Sequence, residues 1–137
     1  MIEVGIIREF PGDMLERIAG FYVDAGWLEK GEDHSFLLPA LQGSTLVAGA
    51  FDNEVIVGCA RGISDGCSDA YIQDVVVSPD HRRQGIGRML IDCLVSGLRS
   101  KGIDWIGLVG EPGTEKFYRS IGWQEKPGFT LWQINKQ

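Results

Sequence analysis

The sequence lacks the features that define several specialised classes of protein. No apolar run approaches the roughly 20 residues that cross a bilayer, and the start of the chain, Met1 to Val4, lacks the basic residues of a secretory signal. The three cysteines are odd in number and form no C-x-x-C pair, which is typical of free thiols in a reducing compartment. With only two histidines besides, we expect no metal site. These absences favour a cytoplasmic protein without a membrane partner.

Positive charge is also scarce. The chain carries 13 Lys and Arg against 19 Asp and Glu, a formal net charge of −6. Nucleic-acid binding depends on neutralising phosphates with basic side chains, so we expect no nucleic-acid partner. The acidic surface could attract a cationic amine through its long-range field, or it could serve solubility alone.

The composition that remains is that of an ordinary globular protein. Hydrophobic residues make up 44% of the chain and charged residues 23%, which argues against disorder. A length of 137 residues is typical of one domain with one core. We therefore expect residues 1–137 to form a single domain.

A strand, a basic turn and a helix follow one another between Tyr71 and Arg88. Three consecutive β-branched residues, Val75 to Val77, favour a strand buried on both faces. After a break, apolar residues recur at helical spacing from Met89 to Leu98. Gly85 and Gly87 therefore lie in the first turn of a helix, where the backbone N–H groups lack intrahelical partners and the dipole is positive. A phosphate group fits there.

The spacing of the glycines excludes two common phosphate-binding motifs. A dinucleotide fingerprint fails because Leu90 stands at the third glycine, and no Gly-Lys-Ser/Thr of a Walker A motif follows. The pattern Arg82-x-x-Gly85-x-Gly87 resembles the pyrophosphate-binding signature of the GNAT superfamily, the GCN5-related N-acetyltransferases that use acetyl-CoA. The continuous run D-V-V-V-S-P-D-H-R-R-Q-G-I-G and the downstream segment F-Y-R-S-I-G-W at 117–123 resemble the same family.

The predicted order of elements is β-α-α-β-β-β-α-β-α-β-β, which indicates an α/β fold with a mixed sheet and helices on both faces. This order is similar to that of the GNAT fold from end to end. The order predicts a central sheet of about seven strands, with Trp123 and residues 129–134 in the last ones. The resemblance implies that strands 4 and 5 splay apart, so that the pantetheine arm of CoA can pair with the backbone of Val75 to Val77.

The resemblance further implies acetyl-CoA as acyl donor and a set of residues that bind it. That set comprises Val75, Val76, Val77, Arg82, Arg83, Gln84, Gly85, Ile86, Gly87, Arg88, Phe117 and Tyr118. A backbone N–H near Val75 or Val76 would polarise the thioester carbonyl, and the Tyr118 phenol would protonate the departing thiolate. Without the resemblance, Tyr118 would be a boundary tyrosine beside a core residue, Phe117, with its hydroxyl group satisfied by solvent. The arginines would then be a solvated basic turn.

The residue that removes a proton from the amine is less defined. Alternation along the fourth strand puts Tyr71 and Gln73 on one face, and Asp74 with Val76 on the other. Several GNAT members have a Glu or His at the positions of Tyr71 or Gln73, but this sequence has neither, so we expect water to carry the proton away. Asp74 is the carboxylate nearby, and it would face away unless a bulge changes the phase.

We expect four residues to border the acceptor pocket: Tyr71, Gln73, Trp27 and Phe36. His34 is a further candidate from the same region of the resemblance. The expected reaction is direct transfer of acetyl to a primary amine, with a small molecule favoured over a protein amino group. A covalent acyl-enzyme is not expected, because no Cys has a His close in sequence. A non-catalytic acyl-CoA sensor and a nucleotide-phosphate binder are the alternatives, and the resemblance also allows a homodimer.

Overall fold

The structure, a computed structural model, describes residues 1–136. Its elements are β1 (Ile2–Ile6), α1 (Gly12–Asp24), α2 (Leu37–Gln42), β2 (Leu46–Asp52), β3 (Val55–Ser64), β4 (Asp69–Val77), a 3-10 helix (Pro79–His81), α3 (Ile86–Ser100), β5 (Trp105–Leu108) and α4 (Glu115–Ser120). The chain divides into two compact units, residues 1–107 and 108–137. No helix among residues 1–136 is long and apolar enough to cross a bilayer.

The strands form one sheet in the order β1-β2-β3-β4-β5. The first four pair as antiparallel neighbours. Short turns join β2 to β3 and β3 to β4, whereas α1 and α2 lie between β1 and β2. β4 reaches β5 through α3, which is the kind of helical crossover that joins parallel strands. The predicted α/β class with a mixed sheet is therefore confirmed, and the splay between β4 and β5 stays a prediction.

Helices cover both faces of the sheet. On one face, α1 and α2 contribute Ile18, Phe21 and Leu37 to a core that includes Cys59 of β3 and Val76 of β4. On the other face lies α3, whose buried residues recur every three or four positions: Ile86, Leu90, Ile91, Leu94 and Leu98. This spacing gives the helix one apolar side, which it buries against the sheet.

Small residues of β3 let α3 lie close to the sheet. A Cβ added at Gly58 would come within 3.3 Å of Leu90 Cδ1 and 3.0 Å of the Val76 carbonyl oxygen. At Gly62 the added atom would lie 3.5 Å from Leu98 Cδ1. The glycines of β3 therefore allow both halves of α3 to pack closely against the sheet.

The expectation of about seven strands is wrong for the described residues, which form five. Residues 123–136 contain no strand, although the sequence predicts the last strands at Trp123 and at 129–134. Aromatic and β-branched residues favour a strand, but a strand also needs a neighbour that pairs with its backbone N–H and C=O groups. In this structure residues 129–134 have side chains typical of a strand, but no strand of the described residues pairs with them.

Replacing Leu98 by Ala should lower the free energy of unfolding by about 2–5 kcal/mol, because the side chain is fully buried between α3 and the sheet and its removal leaves a cavity. Urea unfolding followed by circular dichroism measures the change. Arg99→Ala on the exposed side of the same helix should shift it by less than about 0.5 kcal/mol. Equal effects of the two substitutions would contradict the burial of Leu98.

Candidate active site

β4 contains a bulge at Asp74. In the ladder with β3, Gln73 lies opposite Arg61. Val76 lies opposite Cys59, so β4 has two residues between these pairs where β3 has one. Asp74 takes up the extra length with a φ of 56°, a backbone conformation that is uncommon for residues other than glycine. The bulge leaves one residue of β4 without a ladder partner, close to the triple valine.

The bulge overturns the predicted assignment of faces. Residues directly opposite each other in antiparallel strands share a face. In β3, the odd-numbered residues of the regular stretch 59–63 share one face. Each of three β4 residues lies opposite one of them, so all three share that face: Tyr71, Gln73 and Val76. The expectation that Val76 and Asp74 face away from Tyr71 and Gln73 is therefore wrong. Side chains alternate between the two faces of a strand, so one extra residue reverses the predicted face of every residue after it.

Hydrogen bonds fix Asp74 on this same face. Its Oδ2 accepts a hydrogen bond from Arg61 Nε at 2.7 Å and a longer one from the Tyr22 hydroxyl of α1 at 3.4 Å. Arg61 Nη2 also donates to Gln73 Oε1 at 3.4 Å. Both charged side chains are mostly buried, which strengthens their pairing relative to a surface ion pair. Asp74 is thus held in one orientation beside Gln73.

Two neutral groups complete the cluster around Asp74. Burial raises the pKa of the Tyr22 hydroxyl well above its usual value, and the nearby Cys59 and Asp74 add to the shift. Burial, and then the charge of Asp74, raise the pKa of the Cys59 thiol to about 12. Both groups therefore keep their protons at physiological pH. The cluster has one carboxylate and one guanidinium, and neither Tyr22 nor Cys59 can serve there as a base or nucleophile.

Beyond this cluster, the face of β4 opens to solvent at an aromatic pair. The Tyr71 and Trp105 rings lie edge to face with centroids 5.4 Å apart, and the residues are 46% and 51% exposed. Trp105 was not among the predicted site residues. The sequence signal that could have identified Trp105 is its aromatic side chain in the fifth predicted strand, which the resemblance places next to the fourth. Together the two rings form an exposed aromatic wall at the sheet edge.

The other predicted acceptor residues lie near α1 and α2. Trp27 follows α1, packs against the core on this face and stacks edge to face on Tyr22 at 5.1 Å. Phe36 immediately precedes α2 and is exposed. His34 Nε2 lies 3.1 Å from Glu16 Oε1 on the exposed side of α1. Trp27 therefore belongs to the same side of the sheet as Asp74, while Phe36 and His34 lie at the surface.

The turn after β4 leads into α3 as the sequence predicts. Gly85 is the N-cap of the helix with a left-handed φ of 77°. The first backbone bond within the helix runs from Met89 N to Gly85 O, so the N–H groups of Ile86, Gly87 and Arg88 precede it. The side chain of Ile86 is buried, and its contribution to a ligand would come from the backbone. N–H groups in this position at a helix N-terminus are of the kind that can bind an anion.

The basic side chains of the turn are exposed. Arg82 Nε donates to the Val77 carbonyl oxygen at 3.3 Å, which ties the turn to the end of β4. Arg83 has a φ of 64°. Arg88 lies 3.6 Å from Asp92 one helical turn later, in an exposed ion pair of small energetic value. The turn thus adds positive charge to the helix N-terminus without burying it.

The second unit, residues 108–137, contains the predicted F-Y segment on α4. The Tyr118 ring packs edge to face with Phe117 at 5.0 Å and with Trp123 at 6.2 Å. Phe117 is itself partly exposed, so it is not the core residue that would be expected without the resemblance. Burial, and then the charge of Glu111, raise the pKa of the Tyr118 phenol. The phenol keeps its proton at neutral pH and can donate it.

The profile of the Acetyltransferase (GNAT) family matches residues 12–123. This match covers β4, the turn and α3, nearly all of the first unit and about half of the second. The chain belongs to the GNAT family of acetyltransferases. The resemblance inferred from the D-V-V-V-S-P-D-H-R-R-Q-G-I-G run is therefore confirmed.

Known relatives agree with this assignment. A protein of Oryza sativa subsp. japonica named serotonin N-acetyltransferase 2, chloroplastic, is 41% identical over 71 residues, which cover 52% of this chain and 36% of that one. A GNAT family acetyltransferase structure from Streptococcus pneumoniae TIGR4 superposes with a TM-score of 0.79 at 28% identity, with 100% of each chain covered. The chain spans about half or less of the length of the curated relatives it matches.

A more distant structure shares the fold and holds a ligand. It is AAC(6')-Iy in complex with the bisubstrate analogue CoA-S-monomethyl-acetylneamine. That structure superposes with a TM-score of 0.74 at 16% identity, with 99% of each chain covered. At this identity the likeness concerns the fold alone.

The state of Cys59 gives a prediction for thiol labelling. With Cys67 and Cys93 replaced by Ser, alkylation of Cys59 by iodoacetamide at pH 8 should be at least about 100-fold slower than in the unfolded chain, because only roughly one thiol in ten thousand is ionised at a pKa of about 12. The rate should keep rising up to pH 11. The matched variant that retains only the exposed Cys67 should differ little between folded and unfolded states. Rapid labelling of Cys59 in the folded protein would contradict its burial.

Proposed function

We propose that the protein transfers acetyl directly from acetyl-CoA to a primary amine, and that residues 1–137 form one acetyltransferase domain. The observation that carries the proposal is the N-terminus of α3, which Gly85 begins after the turn that follows β4. Family membership supports acetyl-CoA as the donor. The neighbouring structure with a CoA-derived bisubstrate analogue supports a ternary complex, in which donor and acceptor are bound together.

The diphosphate of CoA would bind the N–H groups of Ile86, Gly87 and Arg88. Gly85 and Gln84 would supply the backbone that leads the turn around the phosphates, with Arg82 and Arg83 adding positive charge. The absence of a Cβ at Gly87 lets the backbone approach the ligand closely. From this anchor the pantetheine arm would lie along Val75, Val76 and Val77, with its amides pairing as an added strand.

The bulge supports a role for the β4 backbone in polarising the thioester. A bulge interrupts the hydrogen-bond ladder, and this one lies next to Val75 and Val76. An N–H group released from the ladder there could donate to the carbonyl oxygen, whose negative charge grows as the amine attacks. The backbone N–H group alone would polarise the carbonyl, because the side chain of Val76 is buried in the core.

The Tyr118 phenol would protonate the thiolate of CoA as it leaves. The amine attacks the acetyl carbonyl carbon, the C–S bond breaks, and the sulfur takes a proton from the phenol. Its raised pKa keeps the proton on the phenol at neutral pH, where it is available for transfer. Phe117 would pack beside the cofactor next to it.

Proton removal from the ammonium acceptor would use water. Gln73 cannot accept a proton as a base, and Asp74 Oδ2 already accepts hydrogen bonds from Arg61 and Tyr22. Asp74 nevertheless lies on the face that Tyr71 and Gln73 share. We assign it the role of orienting the ammonium group and the water beside it, through the negative charge that Arg61 holds in place.

The acceptor would be a small amine bound along Tyr71, Gln73 and Trp27, with Phe36 at the outer rim. The aromatic wall of Tyr71 and Trp105 suits an acceptor with an apolar or cationic body next to its amino group. The name of the rice relative refers to serotonin, an amine of that kind. A protein amino group is the second candidate, because the wall is open to solvent. The cytoplasmic location stays a prediction.

Replacing Gly87 by Glu should weaken CoA binding on the order of 10–100-fold, since a carboxylate would occupy the place of the phosphates beside the same N–H groups. Isothermal titration with CoA measures the affinity. Ser96→Glu adds the same charge on the exposed side of α3 and should leave the affinity unchanged. Unchanged affinity in the Gly87 variant would place the cofactor elsewhere.

Replacing Tyr118 by Phe should lower kcat about 100-fold while CoA affinity stays within about twofold, because only the proton donor is lost. Release of the CoA thiol, followed with small amines and a peptide amine, measures turnover. Wild-type kcat should show no decline from this residue below pH 10. Wild-type protein that binds CoA but releases no thiol with any amine would favour the acyl-CoA sensor. Equal kcat of the two proteins across the pH range would remove Tyr118 from the acid role.

A further inference from the structure

A cavity of about 330 Å³ lies where β1 and α2 end, β2 begins and α3 ends. Its volume is within the range of about 300–1,000 Å³ that is typical of small-molecule sites. All of its lining residues belong to the first unit, residues 1–107. α3 has 15 residues and is therefore about 22 Å long. The cavity is thus remote from the N-terminus of α3, where CoA is proposed to bind.

Part of the cavity lining is apolar. Leu41 and Val47 are buried there, and Phe10 and Leu46 are half-buried. Leu46 also packs against α3, because a Cβ added at Gly97 would lie 2.7 Å from its Cδ1. Apolar surface of this kind binds the hydrocarbon part of a ligand by removing both from water.

The charged residues that line the cavity are both cations. They are Arg8 and Lys101, and no Asp or Glu lines it, although the chain has 19 acidic residues against 13 basic ones. Neither side chain forms an ion pair or a hydrogen bond with the rest of residues 1–136. Two like charges at one cavity repel each other, so a bound anion would be attracted by both. Because both cations are exposed, solvent weakens this attraction, and affinity also needs the apolar contacts.

The uncharged polar groups of the lining favour a ligand that only accepts hydrogen bonds. Ser44 Oγ and Thr45 Oγ1 each donate to a backbone carbonyl oxygen, at 2.8 Å and 2.9 Å. Their hydrogen atoms are therefore already used within the protein. The side-chain donors that remain in the lining belong to Arg8, Gln42 and Lys101. A carboxylate matches this set, because it is an acceptor without a hydrogen to donate.

The C-terminal ends of α2 and α3 lie at the cavity, and helix C-termini repel anions. Hydrogen bonds occupy carbonyl groups at both ends: Ser44 N donates to Leu41 O at 3.1 Å. Leu98 O accepts from Lys101 N at 3.0 Å and from Ile103 N at 3.2 Å. Each helix end is equivalent to about half a negative charge. The two cations therefore outweigh the two helix ends.

We propose that this cavity binds a small amphipathic carboxylate. Its hydrocarbon part contacts the apolar lining around Leu41, Leu46 and Val47, and its carboxylate binds Arg8 and Lys101. The inference is independent of acetyl transfer, because no lining residue belongs to the proposed CoA, catalytic or acceptor sites.

Titration of the ¹⁵N-labelled full chain with octanoate, below its critical micelle concentration and at low salt, tests the proposal. We expect saturable shifts of the amide resonances of Gln42, Leu46 and Lys101. Excess CoA should leave these shifts in place. Shifts that do not saturate, or that CoA reverses, would overturn the proposal, since the second result would put octanoate in the CoA site.

The charge requirement is tested with a double variant and a neutral ligand. Arg8→Gln/Lys101→Gln should weaken octanoate binding at least about 10-fold, a loss of about 1.4 kcal/mol. The matched variant Lys30→Gln/Lys116→Gln removes the same charge at exposed positions outside the cavity and should change the affinity less than about twofold. Octanol should bind the wild type at least about 10-fold more weakly than octanoate. Equal affinities of the two double variants, or of the two ligands, would overturn the proposal.

The salt dependence of wild-type binding keeps the test valid if the double variant fails to fold. Raising NaCl from about 20 to 500 mM shortens the range of electrostatic attraction and should weaken octanoate binding at least about threefold. Octanol binding should not weaken, because it depends on apolar contacts alone. Octanoate binding that is insensitive to salt would exclude a role for the cations and would contradict the assignment.

Discussion

The close packing of α3 against β3 and β4 is the constraint on which the rest of the structure depends. Gly58 and Gly62 remove side chains from β3 where Leu90 and Leu98 press on it. The helix can therefore begin at Ile86, after the turn that follows β4, with Gly85 in the left-handed conformation that turns the chain. Its first N–H groups then lie beside the end of the strand, where the dipole favours an anion. Substituting a larger residue at Gly58 would displace the helix and the site with it.

The bulge in β4 is the second constraint, and it acts on the opposite face of the same strand. One extra residue brings Asp74 to the face of α1, where Arg61 and Tyr22 hold its carboxylate. The same irregularity interrupts the ladder beside Val75. A single strand thus leads at its end to the N-terminus of α3. In its middle it contains the charged cluster, next to an interrupted hydrogen-bond ladder. In the proposed reaction the first anchors the cofactor, and the second orients the acceptor and polarises the thioester.

Sequence reasoning succeeded where structure is determined by neighbours in the chain. The strand, turn and first helical turn around Gly85 follow from local chemistry, as does the helical spacing of α3. It failed where structure depends on distant partners. The extra residue at Asp74 shows only in the pairing with β3, and the contact of Trp105 with Tyr71 joins separate strands. Residues 129–134 have strand-forming side chains, but they form no strand within residues 1–136.

The central claim is that the N-terminal amides of α3 bind the diphosphate of CoA. The most direct test is a titration of ¹⁵N-labelled protein with CoA, followed through the amide resonances of Ile86, Gly87 and Arg88. The account predicts saturable shifts at these three amides, larger than those at the exposed amides of the C-terminal half of the same helix. Saturable binding that leaves these resonances unmoved, with the shifts confined to other parts of the chain, would contradict it.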